Sequence, residues 1–293
     1  MNQFENLFLS VGAMKAGTTW VYDKLQHHPQ IHVSREKEIH YFSHIAGVSN
    51  SLEPLKLKRR AKQALMKAGK QLNQGEIVIS EYRDILDWYI NYAADEVNDD
   101  WYMNLFAQNK IEDSSSYCAD FSNLTCFLDE DGWQHVRKVA KNIKAIYILR
   151  DPVARLWSHY KFHLQFTGHD DQSNPEENFR LFKRIINKPW FVRNSMYSQN
   201  IKLLKKNLNE NEFKLFYLED ISERPFEFLD QIGEFAGLNS YDYSHLDIHS
   251  RKNVTISKNI PENWMIEIEN VLGDEIGFLK EEHVWHENWS GLN

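Results

Sequence analysis

The stretch that most constrains this chain lies at its start. Leu7-Phe8-Leu9-Ser10-Val11-Gly12 is an apolar run of strand length, and Ala13-Met14-Lys15-Ala16-Gly17 follows it as a short glycine-bounded loop. Thr18 to His28 then reads as a helix ended by Pro29. An apolar run without alternation predicts a strand buried on both faces, and strand, glycine loop, helix is the opening of an α/β unit with a parallel sheet. The pattern recurs. Ile143 to Leu149 predicts a second strong strand, followed by Arg150-Asp151-Pro152 and a helix from Val153 to Gln165. Phe213 to Leu218 predicts a third, closed by Glu219-Asp220 and followed by a helix from Pro225 to Ala236 that Gly237 stops. The expected fold class is α/β, a P-loop-type parallel β-sheet flanked by helices. No repeat and no Pro/Gly-rich linker divides the chain, so one domain is expected over residues 1–293. A helical insertion is expected at roughly 45–110, and a helical portion from Ser222 closed by Trp285 and Trp289.

Composition enters as a set of exclusions. With 34 Lys+Arg against 42 Asp+Glu, the net charge is −8, so a broad basic face for nucleic acid is not expected and any anion site must be a local concentration of cations. No apolar run reaches the roughly 18 residues that a membrane span needs. The N-terminus lacks a cationic segment before its apolar stretch, which predicts no signal peptide. Cys118 and Cys126 are too few for a disulfide framework and fit small buried hydrophobes, so a cytoplasmic location is the simplest expectation. The basic run Leu55 to Leu72 spreads its cations around a helix and reads as a solvated face. The acidic group of Asp84, Asp87, Asp95, Glu96, Asp99 and Asp100, with Trp88 and Trp101, reads as solvated surface before it reads as a lid.

Chemistry concentrates in the first loop. A strand leading through glycines into a helix aims backbone N–H groups and the positive end of the helix dipole at one spot. Gly17 lets backbone approach a bulky anion, Thr18 and Thr19 add hydroxyls, and Lys15 adds a point charge. That is a phosphate cradle, although a tight turn with a solvated lysine gives the same pattern. It departs from the nucleotide-triphosphatase loop, because the lysine precedes the second glycine and none follows it. Arg150 stands directly after a strand, where open α/β sheets bind ligands, and its planar fork suits a phosphate. Ser158 follows on the next helix, while Arg155 fits a helical surface arginine and is left without a role.

Together these segments resemble the sulfotransferases that use 3′-phosphoadenosine-5′-phosphosulfate (PAPS). Lys15-Ala16-Gly17-Thr18-Thr19-Trp20 is similar to that family's 5′-phosphosulfate loop, and Leu149-Arg150-Asp151-Pro152 through Ser158-His159-Tyr160 to its 3′-phosphate motif. Phe216 to Asp220, with Pro225 and its helix, resembles a later strand of the family, so the similarity runs over most of the chain and is nearest to the bacterial branch related to heparan-sulfate sulfotransferases. The resemblance implies that Lys15 bridges the sulfuryl group and the leaving phosphate oxygen. It implies that Ala16, Gly17, Thr18 and Thr19 hold the 5′-phosphate, Trp20 lies near the adenine, and Arg150 and Ser158 grip the 3′-phosphate. Arg251-Lys252-Asn253 resembles a segment that closes over the donor, with Asn253 in place of a glycine; an alignment through Pro261 puts Lys258 there instead. Tyr197 matches a tyrosine of the heparan-type pattern. PAPS as donor, 3′-phosphoadenosine-5′-phosphate (PAP) as product and no metal are what the resemblance implies.

Sulfuryl transfer needs a base for the acceptor proton. Lys37-Glu38-Ile39-His40-Tyr41-Phe42 resembles the family's Lys-Glu-x-His-Phe-Phe segment, which implies Glu38 as the base with His40 as its partner. On an extended segment the two would share a face, although the pattern alone fits a polar strand edge. Asp120, in Ala119-Asp120-Phe121-Ser122-Asn123, is the second candidate; Asn123 stands where the family usually has proline. Two other classes stay open. A P-loop kinase would need a Gly-Lys-Ser/Thr ending and an acidic strand end, and a non-catalytic nucleotide-binding module would not need Lys15 with Glu38 and His40. The acidic, aromatic segment Glu81 to Asp100 favours a small cationic or neutral acceptor over a polysaccharide.

Overall fold

A computed structural model describes residues 3–93, 96–107, 113–168, 174–249 and 259–290. Five parallel strands form the sheet: β1 (Phe4–Gly12), β2 (Ile31–Val33), β3 (Tyr117–Asp120), β4 (Ala140–Leu149) and β5 (Phe213–Tyr217). Their order across the sheet is β2-β3-β1-β4-β5. β1 is central because its residues from Leu7 to Gly12 are buried on both faces, as the unbroken apolar run requires. It registers Leu9 against Asp120 of β3 on one side and Ala145 of β4 on the other.

The three strands expected from sequence are present, with β1 and β4 each three residues longer at the start. β2 and β3 were not expected. They are three and four residues long, too short for a periodicity to register. The helix after β1 covers Thr18–Leu25, and the one after β4 covers Pro152–Thr167. Between β2 and β3 stand the helices Pro54–Asn73 and Ile79–Tyr92 and the short Asp99–Asn104. Trp88 and Trp101 are core residues and not parts of a lid, with their indole N–H groups donating to the carbonyls of Leu105 and Tyr92. Cys118 and Cys126 are free and buried, and burial pushes both thiols up to about 12. No described helix is long and apolar enough to cross a membrane.

Because all strands run one way, the chain leaves each at the same edge. The loop after β1, the segment after β2, the turn after β3 and Arg150 after β4 therefore emerge side by side, around the place where the strand order reverses.

Candidate active site

The first loop is shaped by its backbone. Gly17 sits in the left-handed region at φ 84° and precedes the Thr18–Leu25 helix, whose start no side chain caps. A Cβ at Gly17 would also lie 2.6 Å from Leu218 Cδ1, a side-chain end that can shift, so the left-handed φ is what chiefly demands glycine. Lys15 is left-handed too, at φ 69°, and His40 at φ 63°. Apart from His283, these are the non-glycine residues with positive φ among the described ones. Such conformations cost on the order of 1–3 kcal/mol each and persist where surrounding structure holds them. Two of three falling on the predicted chemistry marks this edge.

Lys15 and Arg150 come together. Arg150 Nη1 donates to the Lys15 carbonyl at 3.2 Å, and burial, then the charges of Arg150 and Lys161, push the Lys15 ammonium below its ordinary range. The ammonium lies 4.7 Å from the centre of the Phe162 ring. Asp151 caps the following helix, its Oδ1 accepting from the N–H groups of Val153 and Ala154 at 2.9 and 3.0 Å. Ser158 is buried in the second turn of that helix. Tyr197 is wholly buried, and its hydroxyl donates to the Arg150 carbonyl at 2.9 Å. It thereby holds the arginine's backbone, and its own side chain is closed to solvent. Trp20 is nearly buried, with its indole N–H donating to the Ile248 carbonyl at 3.0 Å. Lys24 donates to the Asp247 carbonyl at 2.8 Å, so the first helix anchors the chain just before Arg251, Lys252 and Asn253. Those three, and Lys258, lie outside the described residues.

Across the edge is the pair of Glu38 and His40, a carboxylate and an imidazole. Glu38 and His40 do share a side, with His40 Nε2 3.2 Å from Glu38 Oε2, but not by strand alternation. The segment is irregular, and the left-handed turn at His40 swings its ring back toward Glu38 before the Tyr41–Ile45 helix. Ser122 Oγ fixes that turn by accepting the His40 N–H at 2.8 Å. Glu38 also accepts from Lys37 Nζ at 2.8 Å, from the Asn123 N–H at 3.3 Å and from Asn123 Nδ2 at 3.1 Å. Burial raises the Glu38 carboxyl, but the His40 hydrogen bond and the Lys37 charge outweigh it and hold the group at about 2. Lys37 reaches the first loop as well, donating to Thr18 Oγ1 at 3.2 Å.

Asp120 differs in kind. It is 1% exposed, and its oxygens accept from the Tyr102 and Ser122 hydroxyls at 3.0 and 2.6 Å. Burial raises it to about 6 despite those bonds. Sequence reasoning passed over Lys37 and Asn123, although Asn123 had already stood out as a departure from the family pattern. It also misplaced Arg155, which is fully buried, bonds Ser195 Oγ at 2.7 Å and leaves Nη2 without a partner.

The family model of the sulfotransferase domain matches residues 6–276. The chain belongs to the sulfotransferase family. A curated relative, the membrane-associated sulfotransferase kil1 of Dictyostelium discoideum, is 25% identical over 172 residues, 59% of this chain and 26% of that protein. The chain thus spans about a quarter of that relative's length. Among solved structures, a sulfotransferase from Alicyclobacillus acidocaldarius aligns over 94% of both chains with a TM-score of 0.58 and 18% identity. The sulfotransferase domain of the Synechococcus PCC 7002 olefin synthase aligns over 98% of this chain and 97% of its own, with a TM-score of 0.56 and 15% identity. These structures share the fold of this chain.

Proposed function

We propose that this sulfotransferase moves the sulfuryl group of PAPS to a hydroxyl or amine of a small acceptor, by in-line displacement. The observation that carries the reading is the contact of the Arg150 guanidinium with the Lys15 carbonyl, which puts a cation from each of two neighbouring strand ends on one edge. Among the described residues no carboxylate pairs with Lys15, and the charges that bear on it are cationic. An uncapped helix start beside such a lysine fits the 5′-phosphosulfate, with Ala16, Gly17, Thr18 and Thr19 around it. Arg150 and Ser158 fit the 3′-phosphate.

In the transfer, the acceptor oxygen forms a bond to sulfur while the bond from sulfur to the 5′-phosphate oxygen breaks. The electron pair stays on that phosphate oxygen, where Lys15 stabilises the developing charge. The acceptor proton goes to Glu38, and His40 and Asn123 orient that carboxylate. Glu38 is ionised across the working range, so it can accept the proton, but it is a weak base. A weak base suffices late in the reaction, when bonding to sulfur has made the acceptor hydroxyl acidic. Asp120 has the better-matched acidity, yet it is closed off from any acceptor, whereas the Glu38 side chain keeps 29% exposure. Access favours Glu38.

Calorimetry with PAP and with Mg-ATP tests the reading against the kinase alternative. PAP is expected to bind without metal and more tightly than Mg-ATP; metal-dependent preference for ATP overturns it. PAP binding with no turnover on any hydroxyl or amine acceptor would point to a nucleotide-binding module.

A further inference from the structure

Beside Glu38 opens a cavity of about 420 Å³. Its floor is Glu36, Lys37 and Glu38, and its wall is Arg60, Gln63, Ala64 and Lys67 of the Pro54–Asn73 helix. Positions 60, 63, 64 and 67 follow the i, i+3, i+4, i+7 spacing of one helix face. This face of the basic run is polar and turned toward the candidate base, while Lys58 and Lys62 line a different groove of the same helix. The run's cations are spread around the helix as the sequence implies, but two of them land on the site.

The charges in the cavity do not cancel. Glu38 is met by Lys37 at 2.8 Å, and Glu36 accepts the Tyr89 hydroxyl at 2.6 Å. Arg60 Nη1 donates to neutral oxygens, the Glu38 carbonyl at 3.2 Å and the Tyr92 hydroxyl at 3.3 Å. Among the described residues no carboxylate forms an ion pair with Arg60 or Lys67. Arg60 and Lys67 on one wall thus outnumber the one carboxylate left without an ion pair, Glu36, whose partner is the neutral Tyr89 hydroxyl, and in a chain of net charge −8 this is a local excess of positive charge of the kind an anion site requires. Ala64, between them, leaves room, and the Gln63 amide adds a neutral donor. Arg60 and Lys67 stand about 10 Å apart along the helix axis, close enough for both long side chains to converge on one group.

We infer that this cavity takes an acceptor bearing a carboxylate, sulfate or phosphate, held between Arg60 and Lys67 with its reacting hydroxyl at Glu38. The inference rests on the sulfuryl-transfer reading above and names the acceptor class for it. It departs from the expectation of a cationic or neutral acceptor, which came from the acidic segment Glu81 to Asp100. The wall at Glu38 comes from the preceding helix, and Asp84 and Asp87 are exposed elsewhere.

The test is calorimetry and PAPS-dependent turnover with matched pairs of hydroxyl acceptors, 4-hydroxyphenylacetate against its methyl ester and glucuronate against its methyl ester. On PAP-loaded wild-type protein the anionic member of each pair is expected to bind at least about tenfold more tightly. Lys67→Glu, at an exposed position, is expected to bring that ratio down to about one while PAP titrates as in the wild type. Loss of PAP binding by the wild type would strike the donor reading itself. PAP binding with equal, inverted or absent binding of both pair members, or an anionic preference that survives Lys67→Glu, overturns the inference alone.

Discussion

At the β1–β4 end of the site, each functional group is placed by its own strand. Lys15 follows β1 within three residues of Gly12, Arg150 follows β4 directly, and Asp151 caps the helix that its own turn begins. At the β2–β3 end, Glu38 is held from a distance. Asn123, 85 positions away, gives it two hydrogen bonds, and Arg60 of the Pro54–Asn73 helix bonds its carbonyl. Lys37 joins the two ends through Thr18. A group placed by a strand end needs only the sheet; a group placed by distant partners needs the helices packed over the sheet as well. On the proposed reading, the donor end is then the half set mainly by the sheet, and the acceptor end the half in which specificity can vary.

If that contrast holds, substitutions at the two ends separate chemistry from donor binding. The largest effect belongs to Glu38→Gln, which is expected to lower kcat by about 10²–10⁴-fold with PAP affinity unchanged in calorimetry. Should Glu38→Gln keep wild-type turnover while Asp120→Asn is inactive, the base moves to the buried aspartate. Next comes Lys15→Ala, expected to cost about 10²–10³-fold in kcat with a smaller loss of PAP affinity. Equal losses in both would make Lys15 a binding group only. Arg150→Ala is expected to weaken PAP by about 2–5 kcal/mol in the same titration. Binding of adenosine 5′-phosphosulfate, which lacks the 3′-phosphate, should change less.

The two carboxylates also predict opposite pH dependences of stability. Asp120 is raised to about 6 by burial, so the folded chain keeps a proton that the unfolded chain releases. Its contribution falls by about 3 kcal/mol as pH climbs from about 4 to about 6, and Asp120→Asn should remove that decline from denaturant unfolding curves. Glu38 is held at about 2, so its contribution is present above about 4.5 and is lost as pH drops toward 2. The smallest effect is that of Tyr197→Phe, which deletes the hydrogen bond to the Arg150 carbonyl. It should weaken PAP by about 1 kcal/mol with kcat unmoved, as fits a residue that positions the arginine.

Legibility in the sequence followed the same divide. β1 and β4 announced themselves through the apolar runs of strands buried on both faces, and β5, a half-exposed edge strand, through its aromatic and apolar residues; Lys15 and Arg150 came with β1 and β4 as strand-end residues. β2 and β3 stayed hidden, since three or four residues carry no periodicity and their burial comes from neighbours. Glu38 and His40 were found through a family motif, and the extended geometry assumed for them was wrong. A left-handed histidine held by Ser122 brings the pair together, and nothing in a one-dimensional pattern encodes that bond. Arg155 looked like a surface residue because its helix carries exposed positions on the far side, and only the packing against Ser195 put it inside.

By itself the sequence determined the parallel α/β frame and the two cationic strand ends, because buried strands and glycine turns are local demands on residue type. Only the tertiary structure decided which carboxylate is open and which is sealed, and which side of a basic helix faces Glu38. Exposure and charge balance are properties of what surrounds a residue, and those surroundings come from segments far apart in the chain.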